Sequence, residues 1–456
     1  MSSLFQSIPE GWQRTTLRRL AQGPKNGAWG SEAGEDETDA VCVRVADFDW
    51  SRLTLKLDSP TTRSFKKQQF KNLQLRPGDV VIEKSGGGEK TPVGRVVSFD
   101  EDVEAVTSNF VARIRPHKDV WNRFFLYLLA AHYMSGYSHQ FIKQNTGIQN
   151  LDDTNLFRSD VWVPDLATQR QIADFLDRET ARIDLLIEKK QRFINVLAQK
   201  WAANVTFTLT NGLNPDAQKK NSGISWIGQI PEHWTVAKLG HIGRSANGIN
   251  IGGDAFGSGF PFVSYGDVYR NPELPRTVDG LVQSSAEDRA RYTLKAGDVL
   301  FTRTSEIIDE IGFSSVCMED MPDAVFAGFL IRFRPMKGKL APSFSKFLFR
   351  NERLRAFFSK EMMIVTRASL SQGLLQRMRV VLPPIDEQIE IARLLKRAED
   401  TFVSVSDKTK TSIDRLKEYR SALITAAVTG QIDVATYAKS GTPDRRLDAI
   451  QEEMGA

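Results

Sequence analysis

Shifted by about 220 positions, this chain nearly repeats itself, and that repeat constrains its fold more than any other feature. Ile8-Pro9-Glu10-Gly11-Trp12 followed by Leu17 returns as Ile230-Pro231-Glu232-His233-Trp234 followed by Leu239, an offset of 230 − 8 = 222. Leu75-Arg76-Pro77-Gly78-Asp79-Val80 returns as Leu294-Lys295-Ala296-Gly297-Asp298-Val299, an offset of 294 − 75 = 219. Val163-Pro164 with Gln169, Ile172, Ala173 and Leu176 becomes Leu382-Pro383 with Gln388, Ile391, Ala392 and Leu395, again 219 apart. The period far exceeds the ~20–50 residues of a solenoid repeat, so each copy is expected to be a whole domain followed by a helix. Two similar but unequal modules in one chain imitate a dimer with two different binding faces.

Within each copy, short apolar runs broken by Gly, Pro, Asp and Asn predict strands. In the first copy these are Ala40 to Val45, Asp79 to Ile82, Gly94 to Phe99 and Asn109 to Ile114, followed by a helix from Trp121 to Tyr133. The second copy predicts strands at Pro261 to Ser264, Asp298 to Thr302 and Phe329 to Phe333, then a helix from Ser343 to Phe358. The expected fold class is α+β: two similar strand-rich globular domains.

A long helix follows each domain. Ile391, Leu395, Ala398, Phe402, Val405, Thr409, Ser412, Leu416, Tyr419, Leu423 and Ala426 alternate steps of four and three, a heptad seam that is apolar except near its middle. Moved back by 219, the same frame gives Ile172, Leu176, Glu179, Ile183, Leu186, Lys190, Phe193, Leu197, Lys200, Asn204 and Phe207, which is weaker. Helices about 60 Å long call for a partner. The linker Asn211 to Gln229 favours an antiparallel coiled coil with a pseudo-two-fold relation between the domains.

Composition excludes several classes. No apolar run approaches the ~18–20 residues of a membrane span, and the start lacks a signal pattern, so a cytoplasmic location is expected. Cys42 and Cys317 fall at non-equivalent places in the two copies, and the five histidines show no ligand spacing, so neither a shared disulfide nor a metal site is expected. The formal charge of +5 and pI near 9.0 indicate only a mildly basic surface. Local distribution says more: Arg63, Lys66, Lys67, Lys71, Arg76, Lys84 and Lys90 outnumber Asp79, Glu83 and Glu89, whereas the acidic loop Glu32, Glu35, Asp36, Glu37, Asp39 should point away from any phosphate backbone.

Catalytic patterns fail in turn. Ser85-Gly86-Gly87-Gly88-Glu89-Lys90-Thr91 is Gly-rich, but a phosphate-binding P-loop needs Gly immediately before the Lys and six positions before it, and those places hold Glu89 and Lys84. Asp79, Glu83 and Lys84 are spaced loosely like a nuclease site, yet the second copy has Asp298, Thr302 and Arg303. The repeated Gly-Asp is better read as a turn opening a strand, with the Asp held by local backbone hydrogen bonds. Trp12 and Trp234 repeat unchanged although the modules differ, which reads as structural anchoring. No catalytic residue, cofactor site or metal site is expected in this chain.

The doubled Ile-Pro-x-x-Trp openings, the doubled Gly-Asp-Val strands, the Val163-Pro164…Gln169 and Leu382-Pro383-Pro384…Gln388 helix starts, and the Leu423…Val428-Thr429-Gly430-Gln431-Ile432 helix end resemble specificity subunits of type I restriction-modification systems along the whole chain. The resemblance implies a first target recognition domain at 1–168, a central conserved helix at 169–210, a linker and second recognition domain at 211–387, a C-terminal conserved helix at 388–431 and a tail at 432–456. It implies double-stranded DNA, two methyltransferase (modification) subunits and up to two restriction subunits as partners. S-adenosylmethionine and ATP with magnesium would be used by those partners and not by this chain. The implied role is to direct adenine methylation and restriction to a bipartite, asymmetric DNA site, with the helices as spacer ruler and partner dock.

Two rival classes remain open: a coiled-coil adaptor that binds other proteins, and a fused enzyme with an unrecognised nuclease site. If DNA is the ligand, the best reader positions are loops equivalent in the two copies but different in sequence. These are Lys84, Ser85, Gly87, Lys90 and Thr91 with Lys143, Asn145, Gln149 and Asn150 in the first copy, and Arg303, Thr304 and Ser305 with Thr366, Arg367 and Ser369 in the second. Arg303 or Arg367 suits guanine and Gln149 or Asn150 adenine, while Lys84, Lys90 and Lys143 suit phosphates.

Overall fold

A computed structural model describes residues 4–5, 10–145, 147–224, 227–305, 310–361 and 368–434. The chain divides into two compact units, residues 1–193 with 407–456, and residues 194–406, so each unit takes one half of each long helix. No helix among the described residues is long and apolar enough to cross a membrane.

The first unit is built on a four-stranded antiparallel sheet in the order Ala21–Asn26, Val111–Pro116, Asp79–Glu83, Val96–Phe99. The middle strand Asp79–Glu83 is buried at every position, as a strand covered on both faces must be. A second sheet orders Ala105–Thr107, Thr38–Val43 and Thr62–Phe65, with the first pair parallel. The helix Asn122–Met134 buries nine consecutive residues, Phe124 to His132. Its core is shared with Ile172, Phe175, Leu176 and Ile183 of one long helix and Leu416, Leu423, Ile424 and Val428 of the other.

The second unit repeats the central sheet in the same order: Gly243–Asn247, Leu330–Pro335, Val299–Thr302, Ser314–Val316. The single helix expected over 343–358 is instead two, Pro342–Arg350 and Glu352–Glu361. Asn351 is extended between them, and its Oδ1 accepts hydrogen bonds from the backbone N–H groups of Arg353 (3.1 Å) and Leu354 (3.4 Å). A side-chain acceptor that caps a new helix start outcompetes continuation of the old one.

The long helices span Leu166–Asn211 and Ile385–Val428. Asp165 opens the first by accepting from Thr168 N at 2.8 Å, which also holds its carboxyl below the usual range. Gly212 (φ +72°) and Gly430 (φ +67°) close the two helices in the left-handed conformation that suits a C-terminal cap. In the first unit Asp184 meets Arg420 at 3.0 Å, and in the second Trp201 stacks on Phe402 with ring centroids 5.9 Å apart. Moving 201 − 184 = 17 residues forward on one helix moves 420 − 402 = 18 backward on the other, so the pairing is antiparallel.

Every seam position expected on the second helix is buried or half-buried. On the first helix the expected frame holds through Lys190 and again at Leu197. Phe193, Lys200, Asn204 and Phe207 are exposed, and residues 194, 201, 205 and 208 turn inward in their place. An α-helix drifts ~20° per heptad from a strict 3.5-residue repeat, and one extra residue in the frame restores the inward face. Of the expected tail, residues 435–456 lie outside the described residues.

Candidate functional site

The two loops chosen from the sequence of the first copy come together in one small sheet. Ile142–Asn145, Ile148–Leu151 and Ser85–Gly86 form three antiparallel strands, with Lys143 opposite Asn150, Asn150 opposite Ser85, and Gln149 opposite Gly86. Ser85 Oγ donates to Asn150 Oδ1 at 2.6 Å. The strand is anchored at its base, where Lys84 N donates to Phe110 O at 2.8 Å and Leu151 N donates to Lys84 O at 2.8 Å. Gly87 (φ +55°) makes the turn possible, since a Cβ there would sit 2.9 Å from Thr91 O.

The second unit builds the same tip with different residues. Thr304 pairs with Ser369 and Ser305 with Ala368, and 304 − 85 and 369 − 150 both equal 219. Arg303 N donates to Phe329 O at 3.0 Å and Leu370 N to Arg303 O at 2.7 Å, the counterparts of the Lys84 anchors. Thr366 and Arg367 lie outside the described residues, as do the side chains of Asn145 and Ser305.

Side-chain placement divides the candidates. Lys90 and Thr91 are exposed at the loop end. Lys143 is well exposed but pairs with Asp152 at 2.6 Å, an interaction that holds the Asp152 carboxyl below its usual range. Lys84 is mostly covered, and its Nζ lies 3.0 Å from Asp153 and donates to Asn26 Oδ1 at 2.7 Å. Gln149 is buried, and its Oε1 accepts from Val93 N at 3.2 Å. An alternating strand points every second residue inward, so Asn150 faces out where Gln149 faces in. Arg303 is half-buried, with Nη1 3.4 Å from Gly328 O.

The tip forms one wall of an open cleft of about 510 Å³ in the first unit, whose other walls include Trp29, Arg44, Arg95 and Phe110. These four residues were not singled out in the sequence. Arg95 forks onto the buried Glu83 carboxylate at 2.8 and 3.1 Å, leaving no uncompensated acid in the cleft. Arg63 lies over the Trp29 ring, 4.9 Å from its centroid, and pairs with Glu32 at 2.7 Å. Glu32 is tied to the cleft wall through Arg63, while Asp36 accepts from Ser31 Oγ and Glu37 from Lys67 N.

The nuclease-like trio does not converge. Asp79 is forked by Arg115 at 2.6 Å and accepts from Arg76 N at 2.7 Å, while Glu83 and Lys84 each have the separate partner given above. The second copy repeats the Asp contacts, with Asp298 on Arg334 (2.6 and 2.7 Å) and Lys295 N (2.8 Å). Repeated Asp is thus scaffold, held by an arginine as well as the expected turn. Burial pushes the Cys42 and Cys317 thiols up to about 11 and about 12, far from nucleophile range. Among the described residues no three His, Cys, Asp or Glu gather as metal ligands.

The family model for the type I restriction modification DNA specificity domain matches residues 9–194 and again 231–415. The chain is similar to the type I restriction enzyme EcoKI specificity subunit of Escherichia coli K12, 22% identical over 79% of this chain and 76% of that protein. It is similar to the EcoBI specificity subunit of Escherichia coli at 22% identity over 93% and 87%. A chain from a solved structure concerning complex assembly and conformational transition of a type I restriction-modification system superposes with a TM-score of 0.71 at 16% identity, over 93% of this chain and all of that one. The HsdS subunit of Thermoanaerobacter tengcongensis superposes at 0.51, also 16% identical, over 93% and 98%.

Proposed function

We infer the function of this chain from its family: it belongs to the type I restriction-modification DNA specificity family. It is a specificity subunit, a DNA-recognition component that works with the other subunits of such a system and is not itself an enzyme. The finer proposal is that each unit reads one half of a bipartite, asymmetric duplex site through its paired tip: Ser85, Gly87, Lys90, Thr91, Lys143 and Asn150 in one unit, Arg303, Thr304 and Ser369 in the other. The observation that carries it is the equal register of the two tips, Asn150 on Ser85 and Ser369 on Thr304. One scaffold presents two different sets of hydrogen-bonding side chains, which is what reading two different half-sites needs. Gln149 and Lys84 act in this proposal by holding the tip rather than by touching bases.

The long helices take the roles of spacer ruler and dock. A 46-residue uninterrupted helix is about 69 Å long, which corresponds to roughly 20 base pairs of duplex as an upper bound. Leu185 and Phe193 in the first unit, and Val196, Phe207, Ile389, Leu394 and Val403 in the second, are exposed apolar residues on these helices. They suit burial by two modification subunits that use S-adenosylmethionine to methylate adenine, and restriction subunits using ATP with magnesium would join for cleavage. The setting for this chemistry is the cytoplasm. Salt-dependent binding to a bipartite duplex distinguishes this reading from an adaptor that binds only proteins.

Mapping modified adenines in cells carrying this chain and its modification partner should give one two-part motif with a fixed gap. Inserting residues at helical spacing between Ile183 and Leu197 should lengthen that gap while both half-sites stay the same. An unchanged gap would sink the ruler, and a single contiguous motif would sink the two-tip reading.

A further inference from the structure

Phe110 and Phe329 are the same residue at the same place in the two copies, since 329 − 110 = 219. Each precedes a central strand of its sheet, Val111–Pro116 or Leu330–Pro335, and offers its carbonyl to the residue that starts the recognition tip, Lys84 or Arg303. Other apolar residues that repeat unchanged pack in the core, as Leu17 with Leu239, Phe125 with Phe344 and Leu151 with Leu370 do, all of them buried. The two phenylalanines depart from that rule, with 46% and 61% of their surfaces exposed. Core packing therefore does not account for their repetition.

Their neighbours diverge while they do not. Asn109 and Lys84 beside Phe110 become Gly328 and Arg303 beside Phe329. In the first unit Phe110 lines the cleft with Trp29 and with Arg44 and Arg95, whose charges are met by Asp47 and Glu83, so aromatic faces rather than net charge are what this surface offers a nucleic acid. What differs between the copies suits what differs between two half-sites, and what is shared suits a feature that every half-site offers. Base steps are such a feature: an apolar ring wedged into a step of the duplex unstacks it and meets a π surface whatever the identity of the bases.

We propose that Phe110 and Phe329 each lay their ring against a base of their own half-site, as a matched pair of contacts that supply affinity without sequence preference. This rests on the reading that the tips bind duplex DNA. The test uses the full complex with modification subunits and the duplex identified by its own methylation map, with the fluorescent base 2-aminopurine placed in one half-site or the other. Phe110→Ala and Phe329→Ala should each weaken binding about 5- to 150-fold. Each should abolish the 2-aminopurine response in one half-site only, and leave the methylated motif unaltered. Phe110→Tyr and Phe329→Tyr, which keep a ring, should retain both binding and response. Thermal unfolding should match wild type; an alanine variant that unfolds early instead assigns the ring to packing and overturns the proposal. Wild-type binding with unchanged alanine variants also overturns it while leaving DNA reading intact, and a changed methylation motif overturns it by making the ring a base reader. Failure of the wild-type complex to bind its duplex in a salt-dependent way would count against the DNA reading itself.

Discussion

The two units share their skeleton nearly contact for contact and differ where that skeleton reaches solvent. Asp79 on Arg115 and Asp298 on Arg334, Gln169 on the Trp121 N–H and Gln388 on the Ala341 N–H, and the Gln13–Thr16 and Thr235–Lys238 edge strands are matched pairs. At the tips Lys84, Ser85 and Asn150 become Arg303, Thr304 and Ser369. The helix halves differ as well. The first unit buries the Asp184–Arg420 ion pair, where burial drives the Asp184 carboxyl upward despite the arginine, and the second stacks Trp201 on Phe402. Buried polar contacts tolerate little change because a stranded partner is costly, whereas a solvated side chain can be exchanged with small effect. That asymmetry lets one scaffold carry two different sets of surface side chains.

The largest expected effect tests the shared skeleton. Asp79→Ala and Asp298→Ala each strand a partly covered arginine and should each lower stability by about 3–5 kcal/mol. Hydrogen exchange across Val111–Pro116 and Leu330–Pro335 would show each loss confined to its own unit. Equal protection in mutant and wild type at either site would break the equivalence.

A smaller effect should separate the units by pH. His132 is fully buried, with Nδ1 on Leu128 O at 2.7 Å, and burial pushes its pKa down to about 4. Its folded pKa lies below the unfolded value of about 6.5, so stability is full above that pH and falls as acid protonates the unfolded chain preferentially. The first unit should lose about 2 kcal/mol by pH 5 from this group. The second unit has Asn351 at the equivalent place and should not share this loss. Denaturation at pH 7 and pH 5 should show it, and His132→Leu should flatten it; a pH response that persists in that variant rules out His132 as its source.

The smallest effect is at the tip. Lys143→Ala removes an exposed ammonium beside Asp152 and should weaken DNA binding by under about 1 kcal/mol, reduce the salt slope by about 1, and leave the motif intact. An altered motif would make Lys143 a base reader.

Much of this architecture was legible in the chain because it rests on local pattern. The 219-residue offset located both sheets, both helix starts and the two tips, since turn residues and apolar spacing act within a few residues of themselves. The candidate site was legible only as far as backbone position. That Gln149 turns inward and Asn150 outward depends on which face of a short strand meets Val93. That Lys84 is taken by Asp153 depends on a residue 69 positions away (153 − 84). Trp29, Arg44 and Arg95 carried no signal of their own. Phe110 did carry one, its recurrence as Phe329, but repetition alone reads as scaffold until exposure is known.

The sequence by itself determined the doubling, the α+β class and the failure of every catalytic pattern to recur in both copies, and it favoured antiparallel helices without fixing them. Periodicity, turn chemistry and spacing are properties of neighbouring residues and survive in one dimension. The tertiary structure alone decided which polar groups are consumed by partners, where the first helix turns its frame after Lys190, why the second unit's helix breaks at Asn351, and which repeated residues face water. Those outcomes follow from competition among distant groups for burial and hydrogen bonds, and only the folded chain brings the competitors together.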